Sequence, residues 1–114
     1  MDECIFCKII KGDLPAKVLY KDEQVTAFHD INPVAPTHIL LIPNKHIASI
    51  NEIAPEDEAL FGYMMTSVKK IAELTGVEKS GYRLIANTGP DANQEVFHIH
   101  FHVIGGQRMR HPMG

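Results

Sequence analysis

The chain has 114 residues, a length that predicts a single domain over residues 1–114 with a core large enough to need no disulfide staples. A formal charge of −3, with Lys69-Lys70 as the longest basic run, argues against an electrostatic footprint for nucleic acid, and the longest strongly apolar run, residues 39–42, is far too short to span a bilayer. The start Met1-Asp2-Glu3 is acidic, unlike a secretory signal, so the expected setting is cytoplasmic, with Cys4 and Cys7 reduced.

Residues 4–11 predict a short helix stopped by Gly12. Residues 17–21 and 24–29 read as two strands around the turn Asp22-Glu23. Residues 32–36 hold two prolines and predict a loop. Residues 38–42 form a continuous apolar stretch expected as a central, buried strand ended by Pro43. One long helix is expected over residues 55–74, with Pro55 in its first turn and Gly76 as its stop. Its acidic start, Glu56 to Glu58, and the late pair Lys69-Lys70 complement the helix dipole. Leu60, Met64, Val68 and Ile71 recur at helical spacing and predict the buried stripe, the methionine serving as core filler. Residues 81–87 and 98–104 complete a set of about five strands, in runs rather than in alternation with helices, which predicts an α+β fold.

Residues 98–104 alternate strictly: His98, His100 and His102 on one face, Ile99, Phe101 and Val103 on the other. The apolar face suits packing under the long helix. The histidine face has three readings: a polar solvent face, a metal site, or a nucleophilic centre. Histidine is a poor filler for an exposed strand, and ligands spaced two apart on one strand converge poorly on a single ion. A neutral imidazole is a competent nucleophile towards phosphorus if its second nitrogen is held as a donor. His100, flanked on both sides, is the expected nucleophile.

The pattern His-x-His-x-His followed by two apolar residues resembles the signature of the histidine-triad family. Gly105-Gly106 after it is similar to the Hint branch, as are Phe28-His29-Asp30-Ile31, Ala35-Pro36-Thr37-His38 and Gly81-Tyr82-Arg83 leading to Asn87. The resemblance runs over essentially the whole chain. It implies a meander of about five antiparallel strands with one long helix and one or two short ones, paired with a second copy into a homodimer with a continuous ten-stranded sheet. It implies an enzyme that hydrolyses purine nucleoside phosphoramidates, of AMP-amine or AMP-lysine type, through a nucleotidyl-histidine intermediate on His100. His102 is then the donor to phosphate oxygens, with His38 and His98 orienting the triad. Asp30 is expected on the ribose, Phe6, Ile9, Phe28 and Ile31 around the base, and Asn87 with Asn93, Gln94, Glu95 and Val96 at the phosphate. Read from the residues alone, the apolar four could equally be plain core, and Asp30 and Asn87 turn-formers.

Three departures from the family pattern stand out. Glu95 occupies a place where some members carry serine, Asn93 one where glycine is frequent, and the tail His111-Pro112-Met113-Gly114 lacks a tryptophan found in some relatives. Cys4-x-x-Cys7 alone fits buried free thiols as well as metal ligands. In some bacterial relatives, and in the related galactose-1-phosphate uridylyltransferases, such a pair binds zinc with two histidines. That resemblance implies His46 and His98 as partners and a structural zinc site. Two further functions compete: a dinucleoside polyphosphate hydrolase or nucleotidyltransferase, and a nucleotide-binding regulatory protein with incidental hydrolysis. No role is expected for His29 or His111.

Overall fold

The computed structural model describes residues 3–112. Five strands form one antiparallel sheet: β1 (Val18–Lys21), β2 (Val25–His29), β3 (Thr37–Pro43), β4 (Tyr82–Ala86) and β5 (Phe101–Gly105), in the order β1-β2-β3-β5-β4. A short helix α1 (Ile5–Lys11) and a long helix α2 (Glu58–Thr75) accompany it. The α+β meander expected from the sequence is therefore present. No helix among the described residues is long and apolar enough to cross a membrane.

The pleat sorts side chains between two layers. Val25 and Ala27 of β2, Ile39 and Leu41 of β3, and Phe101 and Val103 of β5 face one side, where Met64, Val68 and Ile71 of α2 cover them. Phe28, Leu40 and Ile42 face the other side and meet Phe6 of α1. The predicted stripe of α2 is the buried one, with Leu60 only partly covered near its start. The helix begins later than Pro55, because residues Pro55–Asp57 form a separate 3-10 turn. There the Asp57 carboxylate accepts the Ala54 amide at 3.0 Å and holds the Lys45 ammonium at 2.6 Å. Asp22 ties the β1–β2 turn to α2. Its carboxylate takes the amides of Gln24 and Val25 and the hydroxyls of Tyr20 and Tyr63.

The two sheet edges differ. The β1 edge carries a register irregularity between Val18 and Tyr20 and the exposed Lys21, devices that discourage further pairing. β4 pairs regularly with β5 from Tyr82↔Gly105 to Ala86↔Phe101 and leaves its other side open. Gly106 turns the chain after β5 at φ +88°, and a Cβ there would lie 2.9 Å from Cβ of Pro36. Both the left-handed backbone and the close approach require glycine.

The largest departure from expectation concerns the histidine strand. Strand pairing begins at Phe101, so His98 and His100 lie before the ladder and only His102 is within it. The β3–β5 register would bring residue 99 opposite Pro43, which has no N–H to donate. The Ile99 amide turns instead to the carbonyl of Ile47, at 2.7 Å.

Candidate functional site

On the face of the sheet away from α2 lies a cavity of about 440 Å³, between α1, the end of β2, the segment after β4 and the histidines. Phe6, Ile9, Phe28, Asp30, Ile31, Asn87, Asn93, Glu95, Val96, His100 and His102 all line it. Phe6 and Phe28 are both core and cavity wall: each is about 5% exposed or less, and their rings meet edge to face at 5.5 Å. Phe6 also stands edge-on to His100 at 5.2 Å. Ile31 is almost fully exposed and sits at the rim.

Two predicted side-chain placements are corrected. Gln94 does not line the cavity: it is buried, its Nε2 donating to the carbonyls of Ala48 and Val96 and its Oε1 accepting the Gly89 amide. Its role is to hold the loop. His98 is fully buried with its ring outside the cavity, so it does not share a chemical face with the other two. The ring lies instead with the two cysteines, and only the carbonyl of His98 reaches His100. Asn93 retains the turn that glycine would favour, because asparagine tolerates the left-handed region it occupies at φ 59°. His29, given no role from the sequence, lines the cavity. It ends β2 immediately before Asp30, and that adjacency already placed it beside the pocket in the sequence.

The tautomers follow from what faces each ring nitrogen. The carbonyl of His98 can only accept, so His100 Nδ1, 2.9 Å away, carries its proton. In the neutral ring, Nε2 of His100 is therefore the nitrogen with the lone pair. Nδ1 of His38 accepts the Val34 amide at 3.2 Å, so a neutral His38 carries its proton on Nε2. That nitrogen donates to Nδ1 of His102 at 2.9 Å and lies 3.4 Å from Asp30 Oδ2. His102 then has its own proton on Nε2, a donor beside the His100 lone pair, with the two rings 5.1 Å apart. Burial pushes His102 down to about 4, and the neighbouring His100 and His38 push the same way, so its ring is neutral at pH 7. Burial also lowers His38, with Asp30 opposing.

Asp30, His38 and His102 gather closely enough to suggest a metal site. The Val34 amide argues otherwise, because it keeps a proton on the very nitrogen of His38 that would face the ion. Cys4, Cys7, His46 and His98 pass the same test. Nε2 of His98 donates to the Pro43 carbonyl at 2.8 Å, which turns the Nδ1 lone pair towards the sulfurs. The S···N distances are 3.5 Å (Cys4–His98), 3.6 Å (Cys7–His98) and 3.3 Å (Cys7–His46). Edges of about 3.5 Å are what a tetrahedral ion with two sulfur and two nitrogen ligands requires. In the protein's own field, burial and the neighbouring Cys4 sulfur push the Cys7 thiol up, a cost that a divalent cation reverses. All four residues therefore fit a metal ion, brought together from α1, the segment after β3 and the approach to β5.

A model of the HIT domain family matches residues 11–109. The chain is 50% identical over 106 residues to the purine nucleoside phosphoramidase of Escherichia coli strain K12, covering 93% of this chain and 89% of that protein. Among solved structures it resembles a HIT family hydrolase from Legionella pneumophila Philadelphia 1, with a TM-score of 0.94 and 46% identity over 98% of this chain and all of that one. A HIT family hydrolase from Clostridium thermocellum is similar with a TM-score of 0.95 and 44% identity, over 99% of this chain and 98% of that one.

Proposed function

The chain belongs to the HIT domain family, and on that footing we propose that it hydrolyses the P–N bond of purine nucleoside phosphoramidates. The observation that carries this reading is the fixed tautomer of His100. Its Nδ1–H is held on the His98 carbonyl, which leaves a lone pair on Nε2 in a cavity it shares with a second imidazole donor. Nε2 attacks the α-phosphorus; a P–N bond to the ring forms as the bond to the amine breaks, and the departing nitrogen takes up a proton from solvent. Water then attacks phosphorus, displaces the ring and releases the nucleotide, returning a proton to solution and the imidazole to its neutral form. His102 Nε2–H donates to a non-bridging oxygen, and His38 holds it in that tautomer.

Asp30 binds the ribose hydroxyls. Its Oδ1 already accepts the Asn32 amide at 2.8 Å, which fixes the carboxylate at the cavity wall. Phe6, Ile9, Phe28 and Ile31 border the base, and Asn87 with the main chain at 93 and 96 borders the phosphate. Cys4, Cys7, His46 and His98 hold a structural zinc ion, which when bound fixes the segment carrying His100 and takes no part in the chemistry. A cytoplasmic setting suits this reading, since reducing conditions keep both cysteines available as ligands.

A second copy pairs along the open edge of β4. Its regular backbone, with Ile85, Ile104 and Met109 lining the groove beside it, supports sheet extension there rather than at the irregular β1 edge. Sedimentation is expected to give twice the mass of 12.7 kDa, and to give that mass itself if the pairing is wrong.

Steady-state assays should compare an adenosine 5′-phosphoramidate with a diadenosine polyphosphate. Higher kcat/KM on the phosphoramidate is expected. Preference for the polyphosphate would replace this reading with its nearest enzymatic rival, and binding of AMP without turnover of either would leave a nucleotide-binding module.

A further inference from the structure

We propose that Glu95 sets the charge of the leaving group this site accepts, favouring amines that carry an additional positive charge and opposing anionic ones. The inference rests on the reading of the cavity as a phosphoramidate site and adds to it a substrate class and a specificity-determining residue.

No lysine or arginine lines the cavity, an unusual composition for a place that receives phosphate. The described residues of this chain supply two carboxylates there, Asp30 and Glu95. Asp30 is engaged away from the leaving group: one oxygen accepts the Asn32 amide, the other lies beside His38, and its remaining acceptor capacity goes to the ribose hydroxyls in the proposed complex. Glu95 is exposed and, among the described residues, has no hydrogen-bond or ion-pair partner. Its place is nonetheless fixed by its neighbours. Asn93 turns the chain in the left-handed region, Gln94 is anchored inward on three backbone groups, and Val96 packs against the cluster of Phe6 and Phe28. Between two inward residues, position 95 is held at the cavity mouth.

The direction of attack then decides what Glu95 meets. His100 is 8% exposed and lies on the inner wall. An in-line displacement from a buried nucleophile expels the leaving group on the opposite side of phosphorus, towards the opening. A carboxylate at that opening attracts an ammonium carried on the departing amine and repels a carboxylate or phosphate in the same position. With no cation on the wall to offset it, the preference is expressed even at an exposed site, though solvent and salt limit it to about three- to ten-fold.

The test uses three adenosine 5′-phosphoramidates of matched chain length: one of 1,4-diaminobutane, whose second amine stays charged, one of butylamine and one of 4-aminobutyrate. For the wild-type chain, kcat/KM is expected to fall in that order. Relative to the butylamine substrate of the same variant, Glu95→Gln should bring the three ratios within about two-fold, and Glu95→Lys should invert their order. Raising the salt from 20 to about 500 mM should compress the wild-type ratios but barely change those of Glu95→Gln. If all three compounds are turned over and neither substitution alters the ratios, Glu95 is not the selector, while the hydrolase reading stands. If the wild-type chain turns over none of them, the hydrolase reading fails and this inference fails with it.

Discussion

His100→Ala is expected to reduce kcat for an adenosine phosphoramidate by at least about 10³-fold while AMP still binds. Removing a nucleophile that forms a covalent intermediate eliminates the pathway rather than weakening one contact, so the loss should be of that order or larger. Binding is expected to survive because, in the proposed complex, the ribose and base are held by other cavity-lining groups, Asp30 and the apolar wall formed with Phe28. The substitution also deletes the hydrogen bond to the buried His98 carbonyl and the edge contact with Phe6. A stability loss of about 1–3 kcal/mol is therefore expected, and activity must be referred to the folded fraction. His100→Gln fills much of the same space and serves as the second variant. Acid quenching of the wild-type enzyme during turnover should trap a nucleotide on the protein, and no such adduct should form in either variant. Turnover within ten-fold of wild type in both would remove His100 from the chemistry and shift attention to a water activated by another group.

One zinc ion per wild-type chain is expected after purification, and the double substitution Cys4→Ser, Cys7→Ser is expected to abolish it and to lower Tm by about 10 °C or more. Three segments distant in sequence meet at these ligands: the start of α1, the loop carrying His46 and the approach to β5 at His98. Loss of an ion that binds only the folded chain removes its linkage free energy, and in a domain of this size each kcal/mol shifts Tm by about 4–8 °C. Specific activity of the folded fraction should fall less, because the Pro43 carbonyl still orients the His98 ring and the His98 carbonyl still orients His100. The pH dependence has a defined sign. Binding requires neutral imidazoles and thiolates, so acidification should release zinc as protons compete for the same atoms. An unchanged Tm, or zinc retained by the double variant, would refute the assignment.

Much of this molecule was legible before its structure. Period-two alternation over residues 98–104 and helical spacing from Leu60 to Ile71 are local properties of the chain, and the side chains they select form the core between sheet and helix. Gly12 and Gly76 end the two helices as their backbone freedom predicts. The histidine pattern likewise pointed to the HIT domain family to which the chain belongs. His46 came to attention by likeness to relatives rather than from its own surroundings, because nothing local marks a single histidine 39 residues from its cysteine partner. The apolar residues around the cavity could not be sorted into core and pocket, since one composition serves both. Phe6 and Phe28 belong to both at once.

Tertiary structure decided the rest, and the reason is common to each case. A residue's role here depends on which backbone or ring atom faces it, some close in the chain, as Val34 is to His38, and some distant, as Pro43 is to His98. Pro43 ends the pairing of β3 with β5 and its carbonyl takes the His98 ring, so His98 leaves the catalytic face although its spacing placed it there. The Val34 amide selects the tautomer of His38 and, through it, that of His102. Gln94 faces inward, satisfying three backbone groups, and so leaves the cavity to Glu95. Periodicity and composition report which face a side chain occupies; which hydrogen-bond donor or acceptor waits there is set by the path of the folded backbone, both in nearby loops and in segments distant along the chain.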